Sequence, residues 1–157
     1  MAPFCLPKNE ADGGRRTAGS GNGNGNGGKR LLDGSAGADR PHGGAGADQL
    51  TGGSGADVFV FTPAADSTTR GYDTVLEFLR GTDKLDFARF DANAARSGQQ
   101  DFSCIGKAAL GSTATGQLRY QVSGADVMLY GSTDADATAE FAVKISGASA
   151  LSASDFL

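Results

Sequence analysis

The chain has no tryptophan, one histidine, two cysteines and four prolines in 157 residues. A single imidazole, His42, cannot assemble a catalytic zinc site of two or three histidines. It reads as a solvated surface residue, and any Ser-His-Asp set would depend on that one ring. Cys5 and Cys104 make no disulfide framework; Cys104, in the apolar run FSCIG, reads as a small buried hydrophobe. No apolar run approaches the roughly 20 residues of a membrane span. The opening MAPFCLPKNEAD lacks the apolar stretch of a Sec-type signal. No P-loop is present, and the G-x-G runs at 21–28 follow no strand. Charge is also sparse in one sense. Residues 1–30 sum to +3, from five basic and two acidic groups, while residues 31–157 sum to −7. An acidic body opposes nucleic-acid binding and suits a cation-loaded one. These absences leave no catalytic machinery.

Glycine is abundant, and it is ordered. One nine-residue unit is written as GSAGADRPH from Gly34, GGAGADQLT from Gly43 and GGSGADVFV from Gly52. Its second glycine recurs at Gly44 and Gly53, its third at Gly37, Gly46 and Gly55, and its only acid at Asp39, Asp48 and Asp57. Calcium takes roughly 6–8 oxygens, mixing carboxylates with backbone carbonyls. Aiming successive carbonyls at one point requires positive φ, which glycine adopts cheaply. Each turn therefore offers carbonyls and one carboxylate, and the next three residues form a short strand whose middle side chain points inward. That residue is Leu50 or Phe59, but Pro41 in the first copy, which belongs at a sheet edge. A flexible linker has no reason to hold such a phase.

The repeat resembles the RTX (hemolysin-type) calcium-binding nonapeptide, a parallel β-roll. The resemblance implies that alternate repeats share an ion, so that Gly34–Asp39 faces Gly52–Asp57, and Gly43–Asp48 faces FTPAAD (61–66). It also implies a closing pair of acids seven residues apart, matched by Asp66 and Asp73. One to three Ca2+ ions are expected. The order DTVLEFLRGTDKLDFARFDAN (73–93), GQLRY (116–120) and a final Asp155-Phe156-Leu157 resembles the C-terminal domain of serralysin-type secreted metalloproteases. That family shows D-x-I-x-D-F…G-x-D-K-I-D-L-S. The implied fold is all-β, a short parallel β-roll continuing into a β-sandwich.

Period-two alternation supports strands at 58–61, 73–78, 83–87, 102–106, 118–122, 127–129 and 141–145, with a hairpin turn at Ser123-Gly124 and a helical reading of FDANAAR (90–96). Asp83 and Asp86 read as ion-paired surface groups. Asp134, Asp136 and Glu140 fit either a further cation or an ordinary polar loop. The expected organisation is a disordered Gly/Asn-rich leader (1–33), calcium-binding repeats (34–72) and a serralysin-like β domain (73–157). Within the leader, Arg30 stands in the repeat's aspartate slot. Residues 1–33 are either a decayed repeat or an artefact of a misplaced gene start.

Three functional readings follow. The first is a non-catalytic module that folds on extracellular calcium and, as the resemblance implies, leaves a bacterium by type I ABC-transporter secretion on a C-terminal signal. The second is a fragment of a secreted hydrolase with an upstream catalytic domain. The third is an extracellular adhesive module. All three put the chain outside the cell, with neither nucleic acid nor stable membrane insertion.

Overall fold

The computed structural model describes residues 29–62, 67–93, 95–98 and 100–157, so Asp66 and most of the leader lie outside it. Among the described residues nine strands form two sheets: β1 Leu31–Asp33, β2 Gln49–Thr51, β3 Val58–Val60, β4 Asp73–Leu76, β5 Lys84–Asp86, β6 Ser103–Gly106, β7 Gln117–Ser123, β8 Asp126–Ser132 and β9 Phe141–Ser146. The order is β1-β2-β4-β9-β8-β7-β6 in one sheet and β3-β5 in the other. No described helix is long and apolar enough to cross a membrane.

The repeat produces this topology directly. A turn after each short strand sends the chain to the opposite sheet, so β1, β2 and β4 stack in parallel on one side while β3 and β5 stack on the other. Backbone N–H groups of Val58 and Val60 donate to the carbonyls of Asp39 and Pro41, so 39–41 is the outer neighbour of β3. Pro41 serves there as an acceptor alone, which is all its backbone can do. Inward side chains form one row in register: Leu32, Leu50, Val75, Ile145 and Val127. The roll thus runs from β1 to β5. It begins inside the segment expected as disordered leader and passes the expected boundary at residue 72, because β1 and β5 complete the two stacks.

Beyond the roll, β9, β8 and β7 are antiparallel, with a two-residue turn at Gly124-Ala125. The two sheets enclose one core. Phe87 is its hub, stacked on Phe61 at 5.0 Å and packed against Phe90, Phe102, Phe141 and Phe156 at 5.7–6.4 Å between ring centroids. Gly131 sits beneath the Phe141 ring, where a Cβ would collide with it. The described residues of 90–96 form turns and bends, not the expected helix. The Asp91 carboxylate accepts from the N–H of Asn93 and the Asn93 side chain from that of Ala95, local bonds that compete with a helical ladder.

The last residues close the structure. Phe156 bridges Leu85 in parallel, and the Leu157 N–H donates to the Leu85 carbonyl at 3.0 Å. Asp155 is fully buried, and its carboxylate accepts from the Gly81 N–H at 3.1 Å and the Ser152 N–H at 2.6 Å. Burial opposes its ionisation, yet hydrogen bonds from the Ser152 hydroxyl and N–H and from Gly81, with Arg80 nearby, hold its pKa below the ordinary 3.8.

Two outcomes are expected. Phe87→Ala should lower the unfolding free energy in urea by about 3–5 kcal/mol, whereas Leu79→Ala, at a half-exposed site, should stay within about 0.5 kcal/mol. A depressed carboxylate contributes stability above its unfolded pKa and loses it as pH falls through the folded one. Acid titration should therefore reduce wild-type stability more steeply than that of Asp155→Asn once pH drops below 3.8.

Candidate metal centre

The turns of the roll stack in two columns, one along each margin. The first contains Gly34–Asp39, Gly52–Asp57 and the loop 77–83. The second contains Gly43–Asp48 and the segment ending at Asp73, with Arg30 at its outer end.

Each column repeats one backbone arrangement. The Asp39 N–H donates to Asp57 Oδ1 at 2.9 Å, across 18 residues, and the Asp57 N–H donates to Asp83 Oδ1 at 3.1 Å, across 26. In the second column the Asp48 N–H donates to Asp73 Oδ1 at 2.8 Å. The carbonyls of Asp39, Asp57 and Asp48 accept from Val58, Lys84 and Thr74, each at 2.8 Å. One aspartate therefore ties its turn to the next twice.

The glycines serve two physical purposes. Gly44, Gly46, Gly53, Gly55 and Gly37 have φ between 74° and 142°, a region open mainly to glycine. In the first copy Ser35 takes the second position at φ 70°, its N–H held by the Asp33 carboxylate at 2.8 Å. The opening glycines are small for want of space. A Cβ at Gly34 would stand 2.9 Å from Asp39 Oδ2, one at Gly43 2.6 Å from Asp48 Oδ2, and one at Gly52 would meet Asp57 Oδ2 closer still.

The acids are deeply placed. Asp39 is 2% exposed, Asp57 0% and Asp83 1%. Among the described residues, neither oxygen of Asp39 nor Oδ2 of Asp57 has a hydrogen-bond partner. A buried carboxylate without a counter-charge costs several kcal/mol, so these oxygens, beside glycine carbonyls, fit a hard divalent cation.

Asp83 departs from its expected reading as a surface ion pair. It closes the first column, with Oδ1 bound to the Asp57 N–H and Oδ2 to the Leu79 N–H at 2.9 Å. Asp86 does pair, with Arg40 at 2.5 Å. At the Asp48 N–H stands the Asp73 carboxylate; most of the expected partner segment 61–66, Asp66 included, lies outside the described residues. The signal for both closing acids is the tripeptide G-x-D, found in 37–39, 46–48, 55–57, 71–73 and 81–83. It is insufficient alone, since Gly124-Ala125-Asp126 is the hairpin turn.

The oxygens of Asp134, Asp136 and Glu140 lie within 4.8 Å of one another. They already serve the loop's own donors: Thr133 N–H to Glu140 at 2.6 Å, Thr138 N–H and hydroxyl to Asp136 at 2.6 Å, and Asp136 N–H to Asp134 at 3.1 Å. The Thr138 hydroxyl, then its N–H, lowers the Asp136 pKa. An ordered polar loop accounts for this cluster.

Gly52→Ala should displace the Asp57 carboxylate. Its calcium midpoint for folding, followed by circular dichroism, should rise at least tenfold, while Gly111→Ala, whose Cβ would meet open space, should leave it unchanged.

Comparison with known proteins agrees with this geometry. The family described as Peptidase M10 serralysin C terminal matches residues 36–157. The solution structure of the AlgE6R2 subunit of the Azotobacter vinelandii mannuronan C5-epimerase is similar at 33% identity and a TM-score of 0.52, over 81% of this chain and 74% of that one. The AlgE6R3 subunit of the same enzyme is similar at 26% identity and a TM-score of 0.50, over 94% and 86%. No curated protein matches the chain. The matched family is a non-catalytic C-terminal domain, although the epimerase as a whole is an enzyme. Matched over most of its length and built as a two-column β-roll, the chain belongs to the serralysin C-terminal family, as an RTX-type calcium-binding repeat domain.

Proposed function

We propose that the chain is a non-catalytic module whose folding is driven by calcium met outside the cell. The observation that carries this is the pair of buried carboxylates Asp39 and Asp57: among the described residues, both oxygens of Asp39 and Oδ2 of Asp57 lack a protein donor. In the first column, Gly34, Gly37 and Asp39 with Gly52, Gly53, Gly55 and Asp57 would hold one ion. In the second, Gly43, Gly44, Gly46 and Asp48 with Asp73 would hold another. Asp66 remains a candidate outside the described residues.

The mechanism follows from charge and entropy. Without the ion, Asp39, Asp57 and Asp83 repel within one column, and ordering glycine-rich turns is entropically costly. The segment then stays open and threadable. Extracellular calcium modules bind with dissociation constants of about 10⁻⁴–10⁻³ M, so the sites fill only outside the cell. Binding to the folded state alone stabilises it by RT ln(1 + [L]/Kd). Type I ABC-transporter export suits such a chain. Its signal would include Asp155-Phe156-Leu157, residues that the folded structure packs against Gly81 and Leu85, and so it is legible only while the chain is unfolded.

A second reading is supported by the description of the family, the C-terminal part of serralysin peptidases. The chain would then be the folding module of a longer secreted hydrolase. An H-E-x-x-H stretch in the preceding reading frame would establish that reading, and its absence there would dismiss it.

The main test is circular dichroism against calcium. The wild-type chain should gain its β signal over millimolar calcium and lose it in excess chelator. Asp57→Ala should need at least tenfold more calcium, and Asp12→Ala the same amount as wild type. Full β structure in chelator, or equal midpoints for the two variants, would refute the proposal.

A further inference from the structure

The outer end of the second column lacks the acid found in every other turn of the roll. Gly28-Lys29-Arg30 stands in sequence where Gly46-Ala47-Asp48 stands one coil later. Arg30 nevertheless takes the backbone place of an aspartate. Its N–H donates to Asp48 Oδ1 at 2.8 Å, and its carbonyl accepts from the Gln49 N–H at 2.8 Å. Asp39 makes the same two bonds to Asp57 and Val58.

The side chain does what an aspartate cannot. Arg30 Nη1 donates to the carbonyl of Gly43 at 3.3 Å. Gly43 opens the 43–48 turn and lies against Asp48, so closely that a Cβ there would fall 2.6 Å from Asp48 Oδ2. The half-buried guanidinium thus reaches the carbonyl of a turn that lies against the buried Asp48 carboxylate.

We propose that Arg30 is a tethered cation, supplying at this end of the second column the positive charge that calcium supplies deeper in the roll, and closing that position to the ion. The proposal rests on the calcium reading for the remaining positions. A guanidinium is permanently charged, weakly hydrated and rich in planar donors, so it neutralises this turn at any calcium concentration. The outermost turn then needs no ion of its own, while the columns behind it take theirs.

Three variants test this by calorimetric counting of bound calcium and by thermal melting in saturating calcium. Arg30→Asp should bind one more ion per chain than wild type. Arg30→Gln should bind the same number and melt at a lower temperature. Lys29→Gln, which removes the same charge from the exposed neighbouring residue, should change neither readout. An unchanged ion count in Arg30→Asp, or an Arg30→Gln chain melting with wild type, would overturn the proposal. Were wild type to bind no calcium at all, the calcium reading would fail by itself, and the Arg30→Gln melt would still decide the tethered charge.

Discussion

The roll depends on one aspartate used in two ways. Its N–H reaches the carboxylate one coil ahead, and its carbonyl receives the first strand residue of that coil, as Asp39 does with Asp57 and Val58. The arrangement places every repeat acid inside, at the margin of the sheets, where no lysine or arginine meets Asp39, Asp57 or Asp83 among the described residues. Stacking by backbone and repulsion by charge are therefore built from the same residues. A hard divalent cation at these carboxylates would relieve the second without disturbing the first.

The body of the domain solves a different problem. Glycine turns and three-residue strands bury little apolar surface, whereas eight phenylalanines, Phe59, Phe61, Phe78, Phe87, Phe90, Phe102, Phe141 and Phe156, are all buried. They gather where the roll meets the antiparallel wing. Val75 of β4 pairs with Ile145 of β9, so the polar, acid-lined stack is continuous with an apolar one. The aromatic end gives the last coil a rigid template, and the glycine-rich coils extend outward from it.

The fold class and the phase of the columns were legible because nine-residue spacing and period-two alternation are direct images of coil length and strand pleat. Leu50 and Phe59 point inward as their spacing requires, and the Gly34–Asp39 turn lies on Gly52–Asp57. Two things escaped. The spacing argument failed at Asp83, because the longer loops at 61–72 and 77–83 break the nine-residue count while preserving the G-x-D turn. It also misread 90–96, where Asp91 and Asn93 carry side-chain acceptors that satisfy nearby N–H groups and remove the incentive for a helix. In both places local turn chemistry overrode periodicity.

The two ends of the roll differ in kind. At the far end Phe156 and Leu157 lie along Leu85, and β9 covers β4, so both stacks are stoppered. At the near end β1 is the outermost strand among the described residues, with Leu31 72% exposed. A parallel stack sealed at one end has a direction of growth. Additional coils can be appended ahead of β1 with no change to the aromatic base, so the architecture can lengthen by duplication on one side only.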